Sequence, residues 1–569
     1  MNETRRYIVA VGLAASLAGC TVPTTPPVQS GRGEQVAIAS SPKRIVAATV
    51  GDARVFYQDL GATIGAPGDN AIEELLNTGL TEQDDRGVSR PQLAEAVPSI
   101  EAGSWVVLSD GRMQTTWTIR PGVQWQDGAA YSTADLVFTI GVITDEELPL
   151  RRRPAFKLID AVEAVDSRTI KVSWTKPFID ADKLFTRDMG MPLPKHILET
   201  AAAEDKANFG QLSYWGADFV GTGPFRMKEL APGSRVVLGA NKAYALGSPK
   251  IDEIEVRFLS EPNALIANIL AGGVDLFVGR GMNLDRAMLL EDQWKEGQVV
   301  TRLSGLIVIY AQFLNPAPSI VTNVQFRRAA LAAIDRPQLV DTLLYGRGAV
   351  AHVYLGPNQA EYPDVEPGIV QYPFDPRQSA DIMTSMGYVR GADGVYRDTA
   401  GQRLTLEMRS EPLETEQKSL YAVVDSMQRV GLEVEPIVIP RQRTNDLEYR
   451  YTFPALYLRG HASSLPTLEQ YLGVQSPLPE NRWAGTNRGR YVSQELDALI
   501  DRYYVTIPRP ERSELLRGVM RHLSDQLPVL PLFYNTEFTV IANRLHNVTA
   551  TKAASGAAKT WKSQEWDVD

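Results

Sequence analysis

The sequence predicts an α/β protein of two lobes that are joined by two crossover strands. Three observations lead to this prediction. The chain has 569 residues, which is too long for a single hydrophobic core. Segments with the two-residue period of strands alternate with segments of helical period, and this alternation occurs twice along the chain. A strand predicted at 529–535 then returns to the first lobe, so the two lobes share two connections with a cleft between them.

The first residues predict a secretory signal that ends at a lipid-attachment cysteine. Arg5 and Arg6 precede an apolar run over 7–17, and small residues lead to Cys20, the sole cysteine of the chain. This order resembles a bacterial lipobox, which implies cleavage before Cys20, a diacylglycerol on its sulfur and acylation, typically with palmitate, of the new amino terminus. The alternative is a free cysteine in the core. We expect a signal peptide over 1–19 and a flexible linker over 20–35.

The first lobe opens with alternating strands and helices. A strand is predicted at 45–49, and a loop over 51–61 that contains Phe56 and Tyr57 follows it. Ser132 is the expected N-cap of a helix that carries Leu136 and Ile140 on one face. The segment 162–174 reads as a hairpin, and a helix is expected to begin near residue 195.

The stretch 214–278 contains the closest succession of turn, strand and helix signals in the chain. Gly221, Gly223 and Pro224 predict a tight turn, in which we expect glycine to supply a positive φ. A strand over 225–230, a Pro-Gly turn and a return strand over 235–238 follow. The alternating segment 254–258 predicts a half-buried strand, and Ser260 is the expected N-cap of the next helix. A short strand over 274–278 completes a β-α-β unit.

The second half repeats the alternation. A continuous apolar strand is predicted at 305–314 and an amphipathic helix at 326–344. Further helices are expected at 375–388, 420–430, 493–504 and 511–523. Strands are expected at 434–439 and 453–458, and a hairpin at 396–409.

Four ordered segments resemble solute-binding family 5, the extracytoplasmic receptors of peptide, nickel and oligosaccharide ABC importers. They are GTGPF to GGVDLF within 214–278, TWTIRPGVQWQDGAAYSTADLVFTI at 116–140, MPLPKHILE at 191–199 and FRRAALAAIDRPQLVDTLLYGRG at 326–348. The resemblance implies a two-lobe fold of the periplasmic-binding-protein type II class, in its large form with an extra subdomain. It places lobe 1 at 36–305 plus 528–569, with the subdomain at about 70–190, and lobe 2 at 306–527.

The resemblance also implies a function and a set of ligand-binding candidates. We expect a lipid-anchored monomer that captures an oligopeptide or similar solute in the cleft and delivers it to a membrane permease. A cleft of this kind needs aromatic faces and a few fixed polar groups. The candidates are Tyr57, Trp215, Tyr457, Arg459, His461 and Trp483. The alternatives are core packing for Trp215 and a solvated loop for His461.

Composition and motifs argue against other functional classes. The net charge of −10 and the lack of a basic cluster beyond residues 151–153 speak against nucleic acid as a partner. Common catalytic motifs are missing, and the nearest two of the five histidines are 24 positions apart, so we expect no metal site, no cofactor and no catalytic residues. A secreted hydrolase remains an alternative, because catalytic groups can assemble from distant positions.

Two departures from the family bear on the ligand. The "LDP" phrase that usually follows the first strand is missing. Peptide-binding members carry an aspartate for the peptide's amino terminus shortly before a Pro-Thr pair, where this chain has Ala462, Ser463 and Ser464. A buried ammonium without a paired charge is costly. An anionic group bound by Arg459, a sugar or other neutral solute, or a sensor that has lost transport therefore stay open.

Overall fold

The computed structural model describes residues 41–60, 69–150, 153–277, 282–461, 463–550 and 559–569. The predicted signal peptide, the linker, Cys20 and Ala462 lie outside these residues. Among the described residues, no helix is long and apolar enough to cross a membrane.

Groups of strands alternate with helices along the described chain, as the sequence predicts. The strands are β1 (Arg44–Val50), β2 (Thr81–Gln83), β3 (Ser89–Pro91), β4 (Trp105–Val107), β5 (Met113–Thr118), β6 (Ile159–Ala164), β7 (Thr169–Trp174), β8 (Phe225–Ala231), β9 (Arg235–Ala240), β10 (Glu253–Leu259), β11 (Leu276–Phe277), β12 (Gly297–Ala311), β13 (Ala349–Val350), β14 (Val389–Arg390), β15 (Tyr396–Arg397), β16 (Thr405–Ser410), β17 (Glu433–Val438), β18 (Leu456–His461), β19 (Val529–Ala542), β20 (Leu545–His546) and β21 (Asp567–Val568). The helices are α1 (Asp69–Leu76), α2 (Thr133–Thr144), α3 (Lys195–Glu204), α4 (Pro262–Leu270), α5 (Leu284–Gln293), α6 (Val324–Ala332), α7 (Arg336–Leu344), α8 (Tyr362–Val365), α9 (Pro376–Ser385), α10 (Glu414–Arg429), α11 (Leu447–Tyr451), α12 (Gln494–Val505) and α13 (Arg509–Gln526).

One large mixed sheet joins strands from both halves of the chain. Its order is β17-β16-β18-β12-β19-β11-β1-β10-β9-β8, and β13 pairs with β19 beside this path. A separate sheet of order β4-β5-β7-β6 contains the predicted hairpin and packs against α2. Ser132 caps α2 with a capping box, as predicted.

The two faces of strand β12 contribute side chains to different hydrophobic clusters. Ile309 of β12 belongs to a cluster that includes α6, α7 and α10, whereas Tyr310 belongs to another that includes α12 and α13. A further cluster gathers residues of α1, α2, β5 and β7–β10. Because successive strand residues point to opposite faces, one strand can support two cores.

Several element predictions are wrong in detail. The predicted helix over 326–344 is two helices, because Asp335 accepts a hydrogen bond from the Gln338 amide and caps α7, whose first turn contains Pro337. The N-cap of α4 is Glu261, without a side-chain bond, and not Ser260. The strands predicted at 305–314 and 529–535 are Gly297–Ala311 and Val529–Ala542, which pair antiparallel along most of their length.

The predicted turn at 221–224 exists for a different reason. Neither Gly221 nor Gly223 has a positive φ. Instead, a Cβ at Gly221 would lie 2.1 Å from the Leu76 carbonyl oxygen, and one at Gly223 would lie 2.5 Å from the Leu76 carbonyl carbon. Close approach to α1, and not backbone freedom, requires glycine here.

The predicted lobe boundaries near 305 and 528 stay predictions. The large sheet runs without interruption through β12 and β19, so strand pairing marks no break there.

Candidate functional site

The carboxyl ends of two neighbouring parallel strands bring a set of charged residues together. β16 pairs parallel with both β17 and β18. Glu411 follows β16 directly, and Arg459 lies near the end of β18. In α/β sheets, ligands bind outside the carboxyl ends of the parallel strands, so this edge is the candidate site.

Glu411 is the centre of this set. Its Oε1 accepts hydrogen bonds from Arg450 Nη2 at 2.5 Å and from the hydroxyl of Tyr457. Its carboxylate side chain is only 8% exposed. Burial raises the pKa of the Tyr457 hydroxyl, so Tyr457 stays a hydrogen-bond donor at neutral pH.

A second carboxylate lies beside β18. Glu416, in the first turn of α10, accepts a hydrogen bond from the Gly460 amide at 2.7 Å through Oε1. Its Oε2 is buried and has no hydrogen-bond partner among the described residues. Burial raises the pKa of Glu416, and the Gly460 amide and the charge of Arg459 oppose this rise.

Three arginines converge on the same region, and each leaves a donor unused. Arg450 Nε, Arg459 Nη1 and Arg488 Nε are buried without a hydrogen-bond acceptor among the described residues. Arg459 Nη1 lies 3.7 Å from Glu411 Oε1, which is an ion-pair distance but too long for a hydrogen bond. We call these three residues the arginine cluster.

The charges of three arginines act on the Tyr451 hydroxyl. Burial raises the pKa of the Tyr451 hydroxyl, but Arg488, Arg450 and Arg459 outweigh burial and lower this pKa below its usual value. A lowered tyrosine pKa means that the site stabilises a negative charge. The arginine cluster can therefore hold an anionic group.

The structure places Tyr457, Arg459 and His461 on one face of β18, which extends beyond the predicted strand end at residue 458. His461 is 4% exposed and lies between aromatic rings, with ring centroids 5.6 Å from Tyr310 and 5.5 Å from Tyr471. Its Nε2 is 3.1 Å from the Tyr471 hydroxyl. The solvated-loop alternative for His461 is therefore wrong, because this ring packs among aromatic residues of the core cluster that contains Tyr310.

Tyr57 and Trp215 lie together elsewhere, in the core of the first part of the chain. Their ring centroids are 5.2 Å apart, and both residues are at most 2% exposed. The Tyr57 hydroxyl donates to the Met191 carbonyl, and Trp215 Nε1 donates to the Phe209 carbonyl. Both polar groups are satisfied within the protein, so the packing alternative accounts for these residues, and their ligand role stays a prediction.

Trp483 is separate from both groups. It is half-buried against the core cluster that contains Tyr310, and its φ of 62° lies in the left-handed region. None of the described ring contacts joins Trp483 to the other five candidates. Its role in ligand binding stays a prediction.

Sequence reasoning missed Glu411, Glu416, Arg450 and Arg488. The signal that could have found the two glutamates is the parallel pairing of β16 and β18, because residues that follow parallel neighbours meet at one sheet edge. Arg450 and Arg488 come from a short helix and from a loop before α12, and neither segment carries a motif.

A small cavity lies between α1, β2 and the segment 183–191. Its volume is about 30 Å³, and its lining includes Glu74, Asn77, Glu82, Lys183 and Arg187. Asn77 Nδ2 and Arg187 Nε have no hydrogen-bond partner among the described residues. A space of this size holds one or two water molecules and is too small for a peptide.

The described residues contain no group of three or more His, Cys, Asp or Glu side chains that could hold a metal ion.

Comparison with known proteins decides the family. The family model for bacterial extracellular solute-binding proteins, family 5 Middle, matches residues 90–477, which is more than half of the chain. The chain belongs to this family. The resemblance predicted from the sequence is confirmed, and the family acts outside the cytoplasm.

Individual relatives are distant but match over most of their length. The chain is 22% identical over 497 residues to the oligopeptide-binding protein AppA of Bacillus subtilis (strain 168), covering 86% of both proteins. It is 22% identical over 466 residues to the heme-binding protein A of Haemophilus influenzae, covering 78% of this chain and 80% of that protein.

Solved structures agree on the fold. The structure of AppA from Bacillus subtilis in complex with a nonapeptide has a TM-score of 0.70 at 19% identity, and the match covers 93% of this chain and all of that one. NikZ from Campylobacter jejuni in complex with Ni(L-His) has a TM-score of 0.73 at 19% identity, covering 92% of this chain and all of that one. The predicted two-lobe solute-binding fold is confirmed.

Proposed function

We propose that this protein is the substrate-binding lipoprotein of an ABC importer, and that it captures a peptide or peptide-like solute. In this proposal it acts as a monomer that is anchored through Cys20 to the outer face of the membrane. The two lobes close over the solute, and a membrane permease receives it chemically unchanged. Contacts that the solute makes better in the closed state would drive this closure.

The family match over 90–477 is the observation that carries the proposal. The charged edge at β16 and β18 supports it, because a solute receptor needs a few fixed polar groups beside aromatic surfaces. Relatives named for oligopeptide binding favour peptides within the family, although another relative is named for heme. An oligosaccharide receptor, a sensor without transport and a secreted hydrolase are the competing outcomes.

A thermal-shift titration tests the solute class. The purified full chain is mixed with random libraries of di- to pentapeptides, oligosaccharides and nickel chelates, and the peptides are analysed by mass spectrometry afterwards. We expect the peptide libraries to raise the Tm by several degrees at saturation, because a ligand that binds only the folded state stabilises it by about 3 kcal/mol at a hundred times its Kd. The peptides should remain intact. Cleavage would indicate a hydrolase, and a response to sugars alone would contradict the peptide proposal.

The lipid anchor has its own test. Cys20→Ala should release the protein from the membrane fraction and leave its peptide affinity unchanged, because residue 20 precedes the folded body. Continued membrane association of this variant would contradict the anchor.

A further inference from the structure

We propose that Ile179, Tyr504 and Ile507 form a latch that holds the two predicted lobes together before a solute arrives, and that this latch sets the affinity for the solute. The inference rests on the proposed function, because the latch acts on the closure of the same cleft. Ile179 lies in predicted lobe 1, after β7. Tyr504 and Ile507 lie in predicted lobe 2, Tyr504 in the last turn of α12 and Ile507 shortly after this helix.

A backbone hydrogen bond crosses from one predicted lobe to the other. The Ile179 amide donates to the Tyr504 carbonyl at 3.0 Å. The last carbonyl groups of a helix find no donor within that helix. Ile179 thus satisfies a carbonyl group at the end of α12, and separation of the lobes would leave this group to water.

The two predicted lobes also exchange apolar side chains. Ile179 packs against the core cluster that contains Tyr310, whose buried members all lie within 306–534. Tyr504 and Ile507 pack against the cluster of α1, α2, β5 and β7–β10, whose buried members lie within 45–276 and 541–568. Each predicted lobe therefore places a side chain against the core of the other, and the burial of this apolar surface stabilises the contact.

The polar groups of the latch have partners within the protein. The Tyr504 hydroxyl donates to the Leu465 carbonyl at 2.8 Å. The Ile507 carbonyl accepts a hydrogen bond from Arg512 Nη1 at 2.9 Å. Since buried polar groups need a partner and these groups have one, the latch can form without a solute.

Like charges at the contact limit the strength of the latch. Burial raises the pKa of Glu469 in predicted lobe 2, and the negative charges of Asp180 and Asp501 raise it as well. Lys176 opposes this rise, and Lys183 pairs with Asp180 at 2.6 Å. Asp180 belongs to predicted lobe 1, so its repulsion of Glu469 favours separation of the lobes and counteracts the apolar packing.

The test measures the distance between the predicted lobes without solute. Spin labels on Glu163→Cys in β6 and Arg429→Cys in α10, two exposed positions, report this distance in the full chain with Cys20→Ala. We expect one short distance when the latch is intact. Ile179→Ala should add a longer distance and lower the ratio of closed to open molecules roughly tenfold, because it removes most of a partly buried apolar side chain. Identical distance distributions would overturn the inference.

Matched variants separate the latch from general packing. Ile197→Ala removes the same atoms from an exposed position on α3 and should leave the distances unchanged. Ile179→Val should keep most molecules closed, and Glu469→Gln, which removes a repelling charge, should restore closed molecules in the Ile179→Ala chain. Opening of Ile197→Ala to the same extent as Ile179→Ala, or no restoration by Glu469→Gln, would contradict the latch.

The latch also predicts a loss of affinity. Calorimetry with a mixture of random tripeptides compares the wild type with Ile179→Ala. The apparent Kd should rise in proportion to the loss of closed molecules, because the apparent affinity scales with the fraction of the protein that is competent to bind. An unchanged Kd in an opened variant would overturn the inference. A lack of tripeptide binding by both proteins would contradict the proposed function, whereas the distances without solute would still test the latch.

Discussion

Glu82 illustrates how the surroundings of a single residue set its chemistry. It lines the small cavity with Glu74, Lys183 and Arg187. Burial, together with the negative charges of Glu74 and Asp188, raises the pKa of Glu82 to about 8 against the opposing charge of Arg187. The folded protein therefore holds a proton on Glu82 at pH values where the unfolded chain has released it.

This proton predicts a pH-dependent stability. The ordinary pKa of this carboxyl is 4.5, so between about 4.5 and 8 the folded state binds more protons than the unfolded state. The free energy of unfolding should fall as the pH rises through this window, by at most about 1.4 kcal/mol per pH unit. Above a pH of about 8, Glu82 should cause no further fall. Urea unfolding at pH 5 and pH 8 measures the change, which should be smaller in Glu82→Gln. Glu101→Gln, at an exposed position, is the control, and parallel profiles for Glu82→Gln and the wild type would contradict the prediction.

At the scale of elements, one glutamine joins α1 to the turn before β8. Gln126 Nε2 donates to the carbonyl oxygens of Leu76, Gly223 and Phe225, at 2.9, 3.2 and 2.6 Å. Its Oε1 accepts from the Gly221 amide at 3.0 Å. The glycines of this turn allow the approach to α1, and Gln126 satisfies the backbone groups that this approach buries.

Removing this side chain should weaken the junction. Gln126→Ala removes the acceptor of the buried Gly221 amide, whereas the Leu76 and Gly223 carbonyls keep bonds from the Gly223 amide and from Asn241. We expect a loss of about 1–3 kcal/mol in the free energy of unfolding, which is the cost of a buried group left without a partner. Urea unfolding measures this loss. Gln114→Ala, on the four-stranded sheet, removes a single side-chain bond to Ser173 and should cost less. Equal losses in the two variants would contradict the role of Gln126.

At the scale of the molecule, the C-terminal segment 559–569 is hydrogen-bonded to helix α1. Glu74 of α1 accepts hydrogen bonds through Oε2 from the Lys559 amide and from the amide and hydroxyl of Thr560, at 2.8–3.0 Å. Its Oε1 pairs with Arg187. Lys559 in turn pairs with Glu537 of β19, and thereby links α1 to one of the two long strands.

Breaking this connection should destabilise the whole protein. Glu74→Gln removes the closer of the two carboxylate partners of Arg187, whose side chain is 15% exposed, and leaves Asp188 at 3.8 Å. We expect a loss of about 3 kcal/mol, the lower end of the range for a broken buried ion pair. Chemical unfolding measures the loss, and limited proteolysis should show earlier cleavage near the C-terminus. Glu565→Gln, which breaks a half-exposed pair with Lys562, is the control and should change stability by less than about 1 kcal/mol. Unchanged stability of Glu74→Gln would contradict this role.

Predictions from the sequence succeed where the determinant is local. The alternation over 254–258 matches the buried and half-buried pattern of β10, and Ser132 is the N-cap of α2, as predicted. They fail where contacts between residues far apart in the sequence determine the conformation. Close contact with Leu76, and not a positive φ, explains the glycines of the turn at 221–224. Aromatic residues chosen for a cleft, such as Tyr57 and Trp215, are equally suited to a core, and only their neighbours distinguish the two.

The sequence by itself determined most of the order of strands and helices, because periodicity, caps and turns act over a few residues. Its resemblance to solute-binding family 5 in four ordered segments indicated the family and the two-lobe fold. The tertiary structure alone decided which charges meet. Glu411 forms an ion pair with Arg459 of β18 because the parallel pairing of β16 with β18 brings these residues to one sheet edge. Register and packing across such separations depend on the burial of all the elements together, and no local pattern encodes them.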